Sequence, residues 1–319
     1  MAVNFWEKLK KRRRPILALA PIAGFTDSLF RQIAKKYGAD VVYSEMASAT
    51  ALFYNQTIKD NPTLKLLKFD RRKEKYYVVQ LFGADPIHLG AAARFVTKHI
   101  KPDGLDLNFG CPVPKIVKQG AGCGLMKDLK KSRAALEAVL ANTDLPVSLK
   151  IRAQAGEVSV LDFLKNISDL PVAAVIIHGR TLKQGFAGAP DLEIIKEARR
   201  YFKGVILANG GINDLTEAKR VLRDSRADGL ALARGVLGRP WLFKEIKTGR
   251  EIRMTPSKIF KIVIDHAAAV QKQKGKPGII ELRKHLVWYM LGLEGASKRR
   301  EKLVKAQRLS DIKNALSIK

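Results

Sequence analysis

Cysteine is scarce in this chain, since its 319 residues include only two, Cys111 and Cys123. Two cysteines are too few for the disulfide framework that stabilises many small secreted domains. No apolar run approaches the ~20 residues that a membrane-spanning helix requires. The first 21 residues also contain no apolar stretch long enough for a secretory signal. These absences predict a cytoplasmic protein that does not associate with a membrane.

Acidic residues are also few, because 30 Asp and Glu stand against 59 Lys and Arg, giving a net charge of +29 at pH 7. Self-repulsion of this size opposes a compact state, so a polyanionic partner, above all nucleic acid, is the favoured interpretation. The excess is uneven: Lys244 to Lys319 contains 19 basic and 7 acidic residues. A composition that is simply rich in lysine is the alternative that charge alone leaves open.

Eight short apolar runs alternate with amphipathic segments of helical period. Each run is nearly continuous in apolar character, as in strands covered on both faces. The runs are residues 16–21, 40–45, 77–83, 104–110, 146–152, 173–180, 204–211 and 228–235, and clear helical segments lie at 27–38, 131–142 and 215–224. This order predicts a (β/α)8 TIM barrel. An open doubly wound sheet is the alternative, which a count of eight disfavours.

The chain after the eighth run has only helical period. Residues 236–246 are predicted to form the last barrel helix and residues 247–257 a polar linker. We therefore predict a barrel domain over residues 1–245 and a small helical domain over residues 256–319.

In a barrel of this kind the chemistry lies at the carboxyl ends of the strands. The residues that this rule selects are Pro21, Ile22, Ala23, Gln80, Asn108, Lys150, Arg152, His178, Arg180, Asn209, Gly210, Gly211, Arg234 and Gly235. The turns after strands 7 and 8 often bind phosphate in barrels. Ordinary turn glycines are the alternative for Gly210 and Gly211, but both turns fall at the expected positions.

Several of these polar side chains suit a flavin. Lys150 closes an apolar strand and, unless it is merely solvated, faces the cavity as a cation that stabilises negative charge. Gln80 and Asn108 are amides inside apolar strands, and burying them without partners would cost on the order of 1–3 kcal/mol. A flavin ring edge, with alternating C=O and N–H groups, would supply such partners. His178 is either a satisfied core histidine or a ligand contact.

Both cysteines lie in the long connection 109–128 after strand 4, which is longer than usual for such a loop. A zinc site would need further ligands that nearby residues do not offer, so we predict no metal. Cys111, three residues past Asn108, is expected to face the cavity as a catalytic acid or nucleophile. An inert thiol is the alternative, and it is our prediction for Cys123.

The helical region is expected to bind rather than to react. Leu282, Leu286 and Tyr289 recur at helical spacing and predict a core stripe. Lys284 and Trp288 lie four residues apart on another face of the helix, where a cation and an aromatic ring could bind RNA. A packed tryptophan and a solvated lysine are equally compatible with this spacing.

Together the motifs resemble the tRNA-dihydrouridine synthase family of bacterial type. The segments that carry the resemblance are "LALAPIAGFTDSLFRQ", "SEMASA", "VVQLFGADP", "LDLNFGCPVPK", "GAGCGLM", "SLKIR", "IIHGRT", "ILANGGI", "ARGVLGRPWLF" and "LRKHLVWYMLG". The resemblance implies an FMN-binding catalytic barrel with a helical tRNA-binding domain, and thus tRNA as partner. We separately expect a monomer. The implied activity is reduction of the C5=C6 bond of uridines in tRNA, with NADPH as reductant.

The resemblance also implies roles for individual residues, and Cys111 would be the proton donor. The implied FMN contacts are Pro21, Ile22, Ala23, Gln80, Lys150, His178, Asn209, Gly210, Gly211, Ala233 and Arg234. The implied substrate contacts are Asn108, Arg180, Arg283, Lys284 and Trp288. Two other hypotheses remain at this point: a tRNA-binding protein without catalysis, and an FMN oxidoreductase for a small molecule such as dihydroorotate.

Overall fold

A closed barrel of eight parallel strands forms the centre of the computed structural model, which describes residues 4–55 and 61–317. The strands are β1 (Ile16–Leu19), β2 (Val41–Tyr43), β3 (Tyr77–Phe82), β4 (Gly104–Phe109), β5 (Val147–Arg152), β6 (Ala174–His178), β7 (Val205–Asn209) and β8 (Gly229–Leu232). Each strand pairs with the next, and Ile16 of β1 lies opposite Gly229 of β8, which closes the ring. The predicted TIM barrel is confirmed, with all eight strands where the apolar runs indicate.

Helices connect the strands. They are α1 (Phe5–Lys10), α2 (Ser28–Lys36), α3 (Ala49–Tyr54), α4 (Pro62–Leu66), α5 (Pro86–Phe95), α6 (Pro114–Lys118), α7 (Cys123–Met126), α8 (Leu129–Leu140), α9 (Val160–Asn166), α10 (Glu193–Glu197), α11 (Leu215–Ser225) and α12 (Leu242–Thr248). Side-chain caps start several of them, as where the Asp27 carboxylate accepts the N–H of Phe30 at the start of α2. The three segments predicted as helices correspond to α2, α8 and α11.

Helix α1 closes the amino-terminal end of the barrel. Phe5, Trp6 and Leu9 are buried in one apolar cluster with residues that fill the lower barrel. Phe5 stacks on Tyr76, just before β3, with ring centroids 4.9 Å apart. The basic start of the chain therefore carries an apolar face that serves as a plug.

The last part of the chain is helical, as predicted, and consists of α13 (Pro256–Tyr289), α14 (Ala296–Leu303) and α15 (Leu309–Leu316). Helix α13 is broken at Gly275, whose φ of 62° and ψ of −149° are not helical. The three helices share an apolar cluster that includes Leu282, Leu286 and Tyr289, the predicted core stripe. The predicted bounds of the last barrel helix were wrong, since α12 begins at Leu242 and runs to Thr248, and this shortens the linker.

Two absences hold for the part of the chain that the structure describes. None of its helices is both long and apolar enough to cross a bilayer. It also contains no group of three or more His, Cys, Asp or Glu side chains arranged to hold a metal ion.

Candidate active site

A cavity of about 310 Å³ opens at the carboxyl ends of the barrel strands. Sixteen predicted site residues line it: Pro21, Ile22, Ala23, Gln80, Asn108, Cys111, Lys150, Arg152, His178, Arg180, Asn209, Gly210, Gly211, Ala233, Arg234 and Gly235. Residues that are distant in sequence meet here because parallel barrel strands all end on the same face. The structure therefore brings together every predicted residue of the barrel, while their individual roles stay predictions.

A chain of hydrogen bonds runs along the cavity wall. Gln80 Nε2 donates to Asp106 Oδ2 at 2.7 Å, and Asn108 Nδ2 donates to Gln80 Oε1 at 2.9 Å. Asn108 Oδ1 accepts the backbone N–H groups of Gly110 at 3.0 Å and Cys111 at 2.9 Å. The protein itself thus provides partners for both amides, whereas our sequence argument assigned that role to a cofactor.

Asp106, which the sequence analysis missed, is the buried end of this chain. It lies opposite Gln80 in the β3–β4 register and accepts a second hydrogen bond from Ser148 Oγ at 2.6 Å. Burial raises the pKa of Asp106 to about 6, against the opposing effects of the Ser148 and Gln80 hydrogen bonds and of the Lys150 charge. The alternation of β4 was the available signal, because Asp106 and Asn108 are two residues apart and so face the same way.

Lys150 supplies an unpaired cation to the cavity. Its side chain lines the wall, and its Nζ forms no hydrogen bond or ion pair with a described residue. Burial, followed by the nearby charge of Arg152, lowers the pKa of Lys150 to about 8, so the ammonium form still predominates at pH 7. A cation held in this way can compensate negative charge on a bound group.

The turn after β7 has the properties of an anion site. Gly210 and Gly211 have φ values of 107° and 64°, and neither N–H donates to another described residue. A Cβ on Gly210 would lie 3.3 Å from Arg180 Nη1, so a guanidinium lies close beside the turn. Free amides beside a cation in a turn with positive φ form a favourable phosphate cradle.

His178 lies against this turn and is neutral. Burial, together with the charges of Lys150 and several arginines, holds its pKa well below the ordinary value. Arg180 Nη1 lies 3.4 Å from His178 Nε2, which therefore acts as the acceptor. The remaining ring N–H at Nδ1 is then a donor.

The two cysteines have different environments. Cys111 lines the cavity and is 9% exposed, whereas Cys123 is fully buried and lies outside the lining. The Cys123 N–H donates to the Cys111 carbonyl at 3.1 Å, and neither cysteine forms a disulfide. Burial raises the pKa of Cys123 to about 11. A Cβ on Gly122, which has a φ of 57°, would lie 2.9 Å from Cys111 Cβ, so glycine allows the loop to fold back onto Cys111.

The sequence analysis also missed two lining residues from loops, Met46 and Phe186. The Phe186 ring is 57% exposed and lies 4.2 Å from the Arg234 guanidinium carbon, in a cation–π contact. Met46 directly follows the second predicted run, 40–45, as Ile22 follows the first, so the rule for strand ends could have selected it. Phe186 lies in the loop after β6, away from the strand end, where that rule could not find it.

The three predicted contacts on α13 do not line this cavity. Arg283 donates to the carbonyls of Ala306 at 2.8 Å and Lys305 at 3.1 Å, and so joins α13 to the segment before α15. Lys284 is exposed and lies 5.4 Å from the Phe25 ring, while Trp288 is half-buried against the barrel core. Of these three side chains, Lys284 is the most accessible to a partner.

Comparison with known proteins identifies the family. The family model for dihydrouridine synthase (Dus) matches residues 18–319. This chain belongs to the dihydrouridine synthase family. The family prediction is confirmed.

Curated relatives match over most of their length. The probable tRNA-dihydrouridine synthase 1 of Synechocystis is 31% identical over 306 residues, covering 93% of this chain and 84% of the relative. The tRNA-dihydrouridine synthase B of Pseudomonas syringae is 32% identical over 288 residues, covering 88% of this chain and 84% of the relative. Among solved structures, the old yellow enzyme homologue from Zymomonas mobilis aligns with a TM-score of 0.52 at 14% identity, covering 77% of this chain and 94% of that chain. This last likeness concerns the fold alone.

Proposed function

We propose that this protein is a tRNA-dihydrouridine synthase that binds FMN and reduces the C5=C6 bond of uridines in tRNA, with NADPH as reductant. The observation that carries the proposal is the shared cavity of Cys111, Lys150 and the Gly210–Gly211 turn. A weak acid, an unpaired cation and an anion cradle in one cavity are what a flavin reductase of a pyrimidine requires. The substrate is proposed from the relatives, which are named as tRNA-dihydrouridine synthases.

The donor set fits FMN. The free N–H groups of Gly210 and Gly211, beside Arg180 and Arg234, suit the phosphate. Lys150 Nζ and the remaining N–H of the Gln80 amide are donors that suit the ring edge, which is rich in carbonyl and imine acceptors. Pro21, Ile22 and Ala23 would form the apolar part of the wall.

When bound and reduced by NADPH, FMN would supply a hydride for C6 of the uracil. Cys111 would then give its thiol proton to C5. Lys150 stabilises the negative charge that accompanies these transfers. The target uridine must leave its base stack to enter a cavity of this size, at a cost that tRNA binding has to offset.

The charge distribution favours tRNA as partner. The net charge of +29 suits a phosphate backbone, and the basic residues from Lys244 onward follow the barrel as a helical segment. We assign catalysis to residues 1–245 and tRNA binding to residues 256–319, with exposed Lys284 as a contact. Arg283 would act indirectly by holding the helices together. We predict a cytoplasmic monomer that uses no metal.

Two measurements test this proposal. The purified protein should be yellow, and chromatography of the released flavin should identify FMN. With NADPH it should form dihydrouridine in an unmodified tRNA transcript and not in free uridine. Flavin binding together with reduction only of free pyrimidines would indicate a small-molecule oxidoreductase instead. Tight tRNA binding without flavin would indicate a binding protein.

A further inference from the structure

The direction of the hydrogen bonds along the cavity wall is fixed from both ends. Ionised Asp106 can only accept, so Gln80 must turn its NH₂ group toward it. At the other end the N–H groups of Gly110 and Cys111 can only donate, so Asn108 must turn its oxygen toward them. The central bond, from Asn108 Nδ2 to Gln80 Oε1, is then the arrangement that satisfies both ends.

This direction determines what the wall presents to a ligand. The amide oxygens of Gln80 and Asn108 are engaged within the chain. The Gln80 NH₂ group keeps one further N–H, whereas the second N–H of Asn108 faces the weak acceptor Met46 Sδ at 3.9 Å. With Lys150 Nζ, the wall therefore carries donors. A donor wall suits the acceptor edge of a flavin and disfavours groups that are themselves donors.

We propose that Asp106 is a positioning residue that acts through Gln80 and Asn108, orienting the donor wall of the flavin site and holding the Cys111 loop. Asp106 is 1% exposed, does not line the cavity, and contacts the loop only through the two amides. The proposal rests on the proposed function for its flavin part alone, because the effect on the loop requires no ligand.

The test uses variants that distinguish loss of the hydrogen-bond acceptor at position 106 from a change in the size of the side chain. Asp106→Leu has the same number and branching of side-chain heavy atoms, with methyl groups bulkier than the oxygens they replace, and it removes the acceptor. Asp106→Asn keeps one acceptor for Gln80, because the Ser148 hydroxyl can rotate to accept from the new amide. Ser148→Ala is the matched control, since it removes the other partner of Asp106 and leaves the chain to Cys111 intact. Thermal melting establishes that each variant is folded.

The first readout is alkylation of Cys111 in the flavin-free protein, with Cys111→Ser to show which thiol is labelled. Loss of one net hydrogen bond of about 1 kcal/mol should speed the reaction about fivefold in Asp106→Leu. Asp106→Asn and Ser148→Ala should stay within about twofold of the parent. The second readout is FMN affinity, which should fall about tenfold in Asp106→Leu and recover in Asp106→Asn.

Unchanged alkylation and FMN affinity in folded Asp106→Leu would overturn the inference. Equal effects in Asp106→Leu and Asp106→Asn would also overturn it, since the acceptor would then not matter. If Asp106→Leu does not fold, amide hydrogen exchange in the parent protein decides. The N–H groups of Gly110 and Cys111 should be protected from exchange. Exchange as fast as in exposed loops would refute their hydrogen bonds to Asn108 Oδ1. Failure of the parent protein to bind FMN would refute the proposed function, but the alkylation and exchange results would still test the role of Asp106.

Discussion

Replacing Gly210 with alanine perturbs the anion cradle at a single point. Gly210 has a φ of 107°, where side chains other than hydrogen are strained by about 1–3 kcal/mol. The added Cβ would also lie 2.7 Å from Cδ2 of His178, closer than such atoms approach, so either the turn or the imidazole must move. A shift of the turn displaces the N–H groups that we assign to the FMN phosphate, and a shift of the imidazole disturbs Arg180, whose Nη1 lies 3.4 Å from His178 Nε2.

The size of the effect follows from the bond that is lost. A hydrogen bond to a charged group contributes about 1.5–3 kcal/mol, so the FMN dissociation constant should rise about 10- to 100-fold. The assay is titration of the flavin-free protein, followed by the fluorescence of FMN. Thermal melting of the same samples measures the cost to stability.

Gly249→Ala provides a matched control. Gly249 has a φ of 69°, and a Cβ there would meet no atom within 4 Å, so this variant has backbone strain without a collision. It should lose stability and bind FMN like the parent. If Gly210→Ala also binds FMN within about threefold of the parent, the turn after β7 is not the phosphate site and our reasoning fails.

Three further predictions concern other parts of the molecule. Lys150→Met should lower the rate of uridine reduction about 100-fold and weaken FMN binding less, as measured by single turnover and titration. Equal losses of rate and of FMN affinity would mean that Lys150 contributes to FMN binding alone. Trp6→Ala should destabilise the fold by about 3–5 kcal/mol in urea unfolding while FMN affinity stays constant, because Trp6 is buried in the plug far from the cavity face. Folding raises the pKa of Asp106, so the folded state holds the proton more tightly, and this contribution is present below pH 4 and lost as the pH rises toward 6. The stability of the parent relative to Asp106→Asn should therefore fall by roughly 2–3 kcal/mol over that range, and a rise would contradict the assignment.

The sequence was sufficient to predict the barrel because strands covered on both faces are recognisable as nearly continuous apolar runs. Residues 173–177 are apolar throughout, and the polar residues that end each strand then lie on a common face. This rule placed Lys150, His178 and the Gly210–Gly211 turn around one cavity. The break of α13 at Gly275 was harder to predict, since an isolated glycine within a helical pattern is usually tolerated.

Contacts between side chains were harder to predict from the sequence than the positions of residues at the strand ends. The partner of Gln80 is a carboxylate on the neighbouring strand, and which residues of two parallel strands lie opposite each other depends on a register that neither strand encodes alone. Arg180, which the family resemblance implies as a substrate contact, lines the cavity and lies beside Gly210, near the proposed phosphate site. Likewise, the guanidinium of Arg283 bonds backbone carbonyls from a later segment, which helical spacing could not reveal.

The most direct test of the central claim is a single turnover of the reduced, FMN-loaded protein on unmodified tRNA, comparing Cys111→Ala with Cys123→Ala. Both variants remove one thiol from the same loop, but only Cys111 lines the cavity. Our account predicts that Cys111→Ala retains FMN and forms dihydrouridine at least about 100-fold more slowly, while Cys123→Ala reacts like the parent. Full activity in Cys111→Ala would show that the proton comes from another group and would contradict the account.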